Sequence, residues 1–270
     1  MEVIYLVPSG PLAHLPIHAL PTDKVGGILL DHVQVSYLAS TESLSHIYPY
    51  NGLPMNPVLA AFCDPTGDLP ASIHEAESIA ESIEGKSEIR PGESATTESF
   101  WDKTRDADIA LISMHSVSRR MSPLSYLRFY DTLLFSHEIM TRRGHFLKAP
   151  IVILDSCSTG SRDVRAENEN LSLLTAFMIA GAGSVVSPLW KADDLFSALL
   201  IVRMLQAMGE GYDPLEAMQI ALTETRRMRV GDLTDKWRKF RPGLNEADDL
   251  TALFSHPYYW APFIVMAKLR

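Results

Sequence analysis

Cysteine is nearly missing from this sequence: Cys63 and Cys157 are the whole complement among 270 residues. Two thiols so far apart make neither a disulfide framework nor a metal-ligand cluster, and such scarcity points to a reducing compartment, the cytoplasm by default. Long hydrophobic runs are missing too. No stretch reaches the roughly 18 consecutive apolar residues of a membrane span, so no membrane partner is expected. The opening Met1-Glu2-Val3-Ile4-Tyr5 lacks the basic start and long apolar region of a secretory signal. Positive charge is short. Lys and Arg number 24 against 33 Asp and Glu, a formal net charge of -9, which argues against direct binding of nucleic acid, where a basic footprint must neutralise phosphates.

Several motifs are absent as well. There is no His-Glu-x-x-His and no other metal-ligand spacing among the histidines, so no metal is implied. There is no Gly-x-Ser-x-Gly elbow of an esterase. Gly181-Ala182-Gly183 follows a helical pattern and precedes a strand-like one; a phosphate cradle needs the reverse order, so it reads as a helix C-terminal turn. No cofactor is implied. No repeat, low-complexity tract or Gly/Ser linker divides the chain, which reads as one domain over 1–270.

What is present is an alternation. Short apolar, β-branched runs at 3–7, 33–38, 58–62, 109–114, 151–154, 184–187 and 263–266 predict strands, and several are continuously hydrophobic, as in parallel strands buried on both faces. Amphipathic patterns at 74–83, 97–105, 170–179, 193–208 and 214–227 predict helices. Thr41 with Leu44, and Asp193 or Asp194 ahead of an apolar run, mark helix starts. Strands alternating with helices predict an α/β sandwich.

In such sheets, ligands bind beyond the carboxyl ends of the strands. Two ends carry reactive groups. The 109–114 strand runs into His115-Ser116, and the 151–154 strand into Asp155-Ser156-Cys157-Ser158-Thr159-Gly160. Neighbouring strands lie about 4.8 Å apart, so side chains just past two adjacent ends can meet. A thiol is only slightly ionised at neutral pH, so an imidazole beside it matters, and the turn after Cys157 offers backbone N–H groups to an oxyanion. In an extended segment Asp155 and Cys157 project to the same face. A carboxylate there either receives a basic side chain or caps its own turn. Asp193 and Asp194 are second candidates for substrate contact, with a helix N-cap as the simpler role. Cys63, at the end of another strand, reads as a buried structural thiol, and the polar run at 161–170 as a solvated loop; Arg119 and Arg120 face solvent or a partner.

Read in order, the chain resembles the CHAT family of caspase-like domains, found in bacteria behind tetratricopeptide repeats. The resemblance rests on Pro8-Ser9-Gly10-Pro11-Leu12 with Leu15-Pro16, then Asp64-Pro65, Glu75-Ala76-Glu77-Ser78-Ile79-Ala80 and Gly92-Glu93-Ser94-Ala95-Thr96. The His segment, Pro123-Leu124 and the Cys segment follow. Ala180-Gly181-Ala182-Gly183, Ser187-Pro188-Leu189-Trp190, Asp193-Asp194 and Pro257-Tyr258-Tyr259-Trp260-Ala261-Pro262-Phe263 complete it. Caspase-type enzymes carry the His about 50 residues before the Cys; here the separation is 42.

The resemblance implies a caspase-like three-layer sandwich with a mostly parallel central sheet. It implies a cysteine endopeptidase in which Cys157 and His115 form a dyad, with the backbone N–H groups of Ser116 and Cys157 as oxyanion donors. The family usually has Gly after the His, where this chain has Ser116, and Leu-Ser-Ala-Cys where it has Leu154-Asp155-Ser156-Cys157. The latter is similar to the Asp-Ser-Cys of metacaspases, in which the Asp favours a basic residue before the scissile bond. The implied partners are a protein substrate and a regulatory or sensor protein, of tetratricopeptide type or in a CRISPR-type effector assembly. The implied setting is bacterial antiviral defence, with this chain the protease part of a larger protein. Two other readings stand beside it: an inactive caspase-like interaction module, and an acyl-transfer enzyme of the esterase type.

Overall fold

The computed structural model describes residues 2–22, 27–41, 50, 52–117, 124–148, 150–155, 169–238, 240–241 and 250–267. Its centre is a six-stranded sheet. In spatial order the strands are β11 (Phe263–Ala267), β10 (Ser184–Pro188), β9 (Ile151–Leu154), β5 (Ile109–Ser113), β3 (Val58–Cys63) and β4 (Lys86–Pro91). Every pairing is parallel except β10 with β11. The continuous apolar runs are the reason: β5, β9, β10 and β11 are buried at every residue, which suits strands covered on both faces.

Alternate residues of each strand enter two different cores. Leu59, Ala61, Ile109, Leu111, Ile151 and Ile153 face one side, with helices α1 (Pro70–Ser82), α5 (Asp194–Gly209) and α6 (Pro214–Thr225). Ala60, Phe62, Ala110, Ile112, Val152 and Leu154 face the other, with α2 (Thr97–Thr104), α3 (Ser136–Thr141) and α4 (Glu169–Ala180). The result is three layers, as expected. Phe100 of α2 is fully buried against Phe62, Phe129 and Phe177 with ring centroids 5.3–6.3 Å apart; truncating such a residue typically costs about 3–5 kcal/mol.

Three details depart from the sequence expectations. The strands at 3–7 and 33–38 form β1 (Val3–Leu6) and β2 (Gln34–Tyr37), a separate parallel pair. A side chain links them to the main sheet: Ser36 Oγ donates to Ala267 O at 2.7 Å and accepts from Ala267 N at 3.1 Å. The edge strand β4 has no apolar run, because its outer side meets water; Glu88 there is ringed by Lys86, Arg90 and Lys103, which hold its carboxyl down to about 2. Between β5 and α3 a small antiparallel sheet forms from β6 (Ser116–Val117), β7 (Tyr126–Arg128) and β8 (Leu133–Phe135). The helix expected to start at Thr41 with Leu44 runs into 42–49, which lie outside the described residues.

The connections locate the site. From β3 the chain passes through α1 outward to β4, then through α2 back to β5 on the other side of β3. The direction of winding therefore reverses between β3 and β5, and a crevice opens where such a reversal occurs, at the carboxyl ends of the two strands.

Candidate active site

Four strand ends meet at that crevice. β3 ends in a sharp turn at Asp64, whose φ of 46° is the left-handed conformation that Asp tolerates better than most residues. The turn is held by Asp64 N–H to Ser113 O at 3.1 Å and by Leu69 N–H to Asp64 Oδ1 at 2.8 Å. It carries Asp68 across the end of β5 to His115. Both carboxylate oxygens of Asp68 lie beside His115 Nε2, at 2.9 and 3.0 Å. Thr66 Oγ1 donates to the same carboxylate, and the two contacts together, that of Thr66 first, hold Asp68 below the usual carboxylate range.

In the neutral imidazole one nitrogen carries the proton. With Nε2 donating to Asp68, Nδ1 is the nitrogen with the lone pair. His115 is thus oriented and its tautomer chosen, as a general base requires. The residue after it enters the small sheet. Arg128 N–H donates to His115 O at 2.9 Å, and Ser116 lies opposite Leu127. Because hydrogen-bonded and non-bonded pairs alternate in an antiparallel ladder, the Ser116 N–H points away from β7.

β5 and β9 are direct neighbours, paired through Ile112 and Leu154. The register continues past the last ladder residues: Asp155 N–H donates to Ile112 O at 3.1 Å, and Ser113 Oγ reaches Asp155 O at 3.4 Å. Cys157 lies outside the described residues, as do Arg119, Arg120 and the run at 161–168.

Beside this junction is a cavity of about 230 Å³, lined by Asp68, Glu75, Ser113, Asp155, Lys191 and Asp194 among others. Asp155 thus lines the cavity, with Ser197 Oγ 3.4 Å from its Oδ1, while the turn that follows it lies outside the described residues. Burial pushes its carboxyl up to about 6. Glu75, on the inner face of α1, accepts from Ser113 Oγ at 3.1 Å. Burial first, then the Asp155 charge, holds it well above the usual carboxylate range. Asp194, on the open side, is raised by partial burial and by Asp193. Asp193 itself does not line the cavity. Its side chain caps α5 through Phe196 N–H at 3.1 Å and pairs with Arg241, so the simpler of its two expected roles is the one the geometry displays. Among the described residues no cluster of His, Cys, Asp or Glu is arranged to hold a metal ion.

Cys63 ends β3 with no exposed surface, and burial pushes its thiol up to about 12. A thiol that weakly acidic is not ionised at neutral pH, which fits a structural role. Two carboxyl groups of the site have no counterpart among the sequence candidates: Asp68 and Glu75.

The CHAT domain family matches residues 1–268 of the chain. No curated protein sequence matches it. Among solved structures, Saccharomyces cerevisiae separase in complex with securin shares the fold over 97% of this chain, with 15% identity and a TM-score of 0.55. The Arg-specific cysteine proteinase gingipain R shares it over 99%, with 10% identity and a TM-score of 0.54. The chain spans 15% of the separase chain and 63% of the gingipain chain. The family match along almost the whole chain and the shared fold agree: this chain belongs to the CHAT domain family and has the caspase-like cysteine protease fold.

Proposed function

We propose that the chain is a cysteine endopeptidase with Cys157 as nucleophile and His115 as its base, cutting after a basic residue. One observation carries the reading. β5 and β9 are adjacent and parallel and end level, with Ile112 opposite Leu154; His115 follows Ile112 by three residues, and Cys157 follows Leu154 by three. In the reaction, His115 Nδ1 takes the thiol proton as the sulfur of Cys157 attacks the substrate carbonyl carbon. The N–H groups of Ser116 and Cys157 donate to the oxyanion, and His115 returns the proton to the leaving amine. Water then hydrolyses the acyl-enzyme with His115 again as base. Asp68 orients the imidazole throughout.

The cavity supports the basic preference. Among the described residues four carboxyl-bearing side chains line it against one basic residue, Lys191, and a carboxylate facing Arg or Lys gains a charge-assisted hydrogen bond. Asp155 and Asp194 are the substrate-contacting residues of this reading. Separase is seen bound to a protein partner, securin; regulation by a sensor protein, in bacterial defence, is proposed for this chain on the same lines. An inactive interaction module, the competing reading, draws on Ser116 standing where the family has Gly. A thiol-reactive peptide probe with Arg next to the warhead decides between them. It should label wild type at Cys157 and fail on His115→Ala, whereas a module without chemistry labels neither.

A further inference from the structure

The proposed reaction leaves one carboxyl of the cavity unused. Glu75 is 2% exposed. Its Oε2 takes the Ser113 hydroxyl, but among the described residues no donor reaches Oε1. What lies beside it is the Asp155 carboxyl, and two carboxyls can bond only while they hold a proton between them. Facing this pair are Asp194 from α5, the buried Cys63 thiol from β3, and Asp68 and Lys191 from the walls.

We propose that Glu75 is the second carboxyl of a guanidinium site: as an arginine side chain enters the cavity, Glu75 gives its proton to solvent and holds the cation jointly with Asp155. This rests on the cavity being the pocket for the residue before the scissile bond. Without a cation, two ionised carboxylates would face each other with little water, so the pair keeps one proton. With a guanidinium between them both ionise. The charge balances, since one cation enters and one proton leaves: the empty pair with its one proton carries one negative charge, and so do the two carboxylates with the guanidinium between them.

Arginine suits the walls better than lysine. The acceptors come from three elements: Glu75 on α1, Asp155 after β9, and Asp194 at the start of α5. Five N–H donors in a planar fork can reach separated acceptors together, whereas the donors of an ammonium leave from one atom.

The test uses the Cys157→Ala chain and acetylated tetrapeptides that differ only in a terminal arginine, lysine or citrulline amide. They are titrated calorimetrically at about pH 7.5, above the Asp155 value of about 6, in two buffers of different ionisation enthalpy. The arginine peptide should bind with release of about one proton and about tenfold or more tighter than the lysine peptide. Adding Glu75→Gln should abolish the release and cost arginine affinity about tenfold or more. A preference for arginine over citrulline with no proton release overturns the role of Glu75 while leaving the basic pocket standing. Arginine and citrulline bound alike, or neither bound, overturns both. If the Glu75→Gln chain does not fold, the proton count on the Cys157→Ala chain decides alone.

Discussion

Asp68 and Glu75 are seven residues apart on the same segment, yet their carboxyls are driven in opposite directions. The Asp68 side chain is 62% exposed and holds its charge, supported by Thr66 and His115. Glu75 is buried on the inner face of α1 beside a second acid, and burial drives it toward the neutral form. The helix start between them, at Pro70, turns the chain from solvent into the core. The same side-chain chemistry thereby serves two tasks: a fixed charge that orients a base, and a stored proton that a cation can displace.

On this view, rate belongs to the Asp68 side and selectivity to the Glu75 side, and substitutions should separate the two. The largest effect is expected for His115→Ala, which should lower kcat/KM by about 10²–10⁴ on basic and neutral substrates alike. A loss confined to basic substrates would break the division. Asp155→Ala comes next. Losing one partner of a desolvated charge pair costs about 2–5 kcal/mol, so cleavage after Arg should fall by more than tenfold while cleavage after neutral residues changes little. Profiling both enzymes on one peptide library measures this. An unchanged preference would mean that Asp155 serves only its own turn. Asp68→Asn keeps the shape but removes the charge beside Nε2; because the contact is open to water, about a tenfold fall in kcat is expected, with the Arg preference intact.

The smallest effects concern stability. The Asp155 and Glu75 carboxyls are raised in the folded chain, so the stability they contribute is complete at low pH and is lost as pH climbs through about 6 and beyond. Glu75→Gln replaces the shared proton with an amide donor. Its Tm relative to wild type should therefore improve from pH 5 to pH 8, by about 2–4 °C for each kcal/mol relieved. A constant difference across that range would contradict the pairing. Cys63→Ala should leave kcat/KM within about twofold, its cost appearing in Tm alone.

Much of the fold was legible because buried parallel strands advertise themselves. The runs at 109–114 and 151–154 stand out, and the residues just past them include both members of the proposed dyad. The strand order was not legible, since nothing local in either run says that β5 pairs with β9. β4 escaped because Lys86–Pro91 has charged side chains where an inner strand has apolar ones. Asp68 escaped for a related reason: its partner lies 47 residues away, and Asp64-Pro65-Thr66-Gly67-Asp68 reads as an ordinary turn. Glu75 did leave a signal. It falls on the stripe with Ser72, Ala76 and Ile79 that α1 buries, and an acid on an inward stripe asks for a reason. Asp193 shows the opposite outcome, a carboxylate near the site that is engaged by a helix cap and by Arg241.

The central claim is that Cys157, and not Cys63, performs the chemistry beside His115. Its most direct measurement is a peptide-library digest by wild type, Cys157→Ala and Cys63→Ala, with folding checked by circular dichroism. Wild type and Cys63→Ala should cut after Arg with matching profiles while folded Cys157→Ala cuts nothing; a folded Cys157→Ala chain that still cleaves would contradict it.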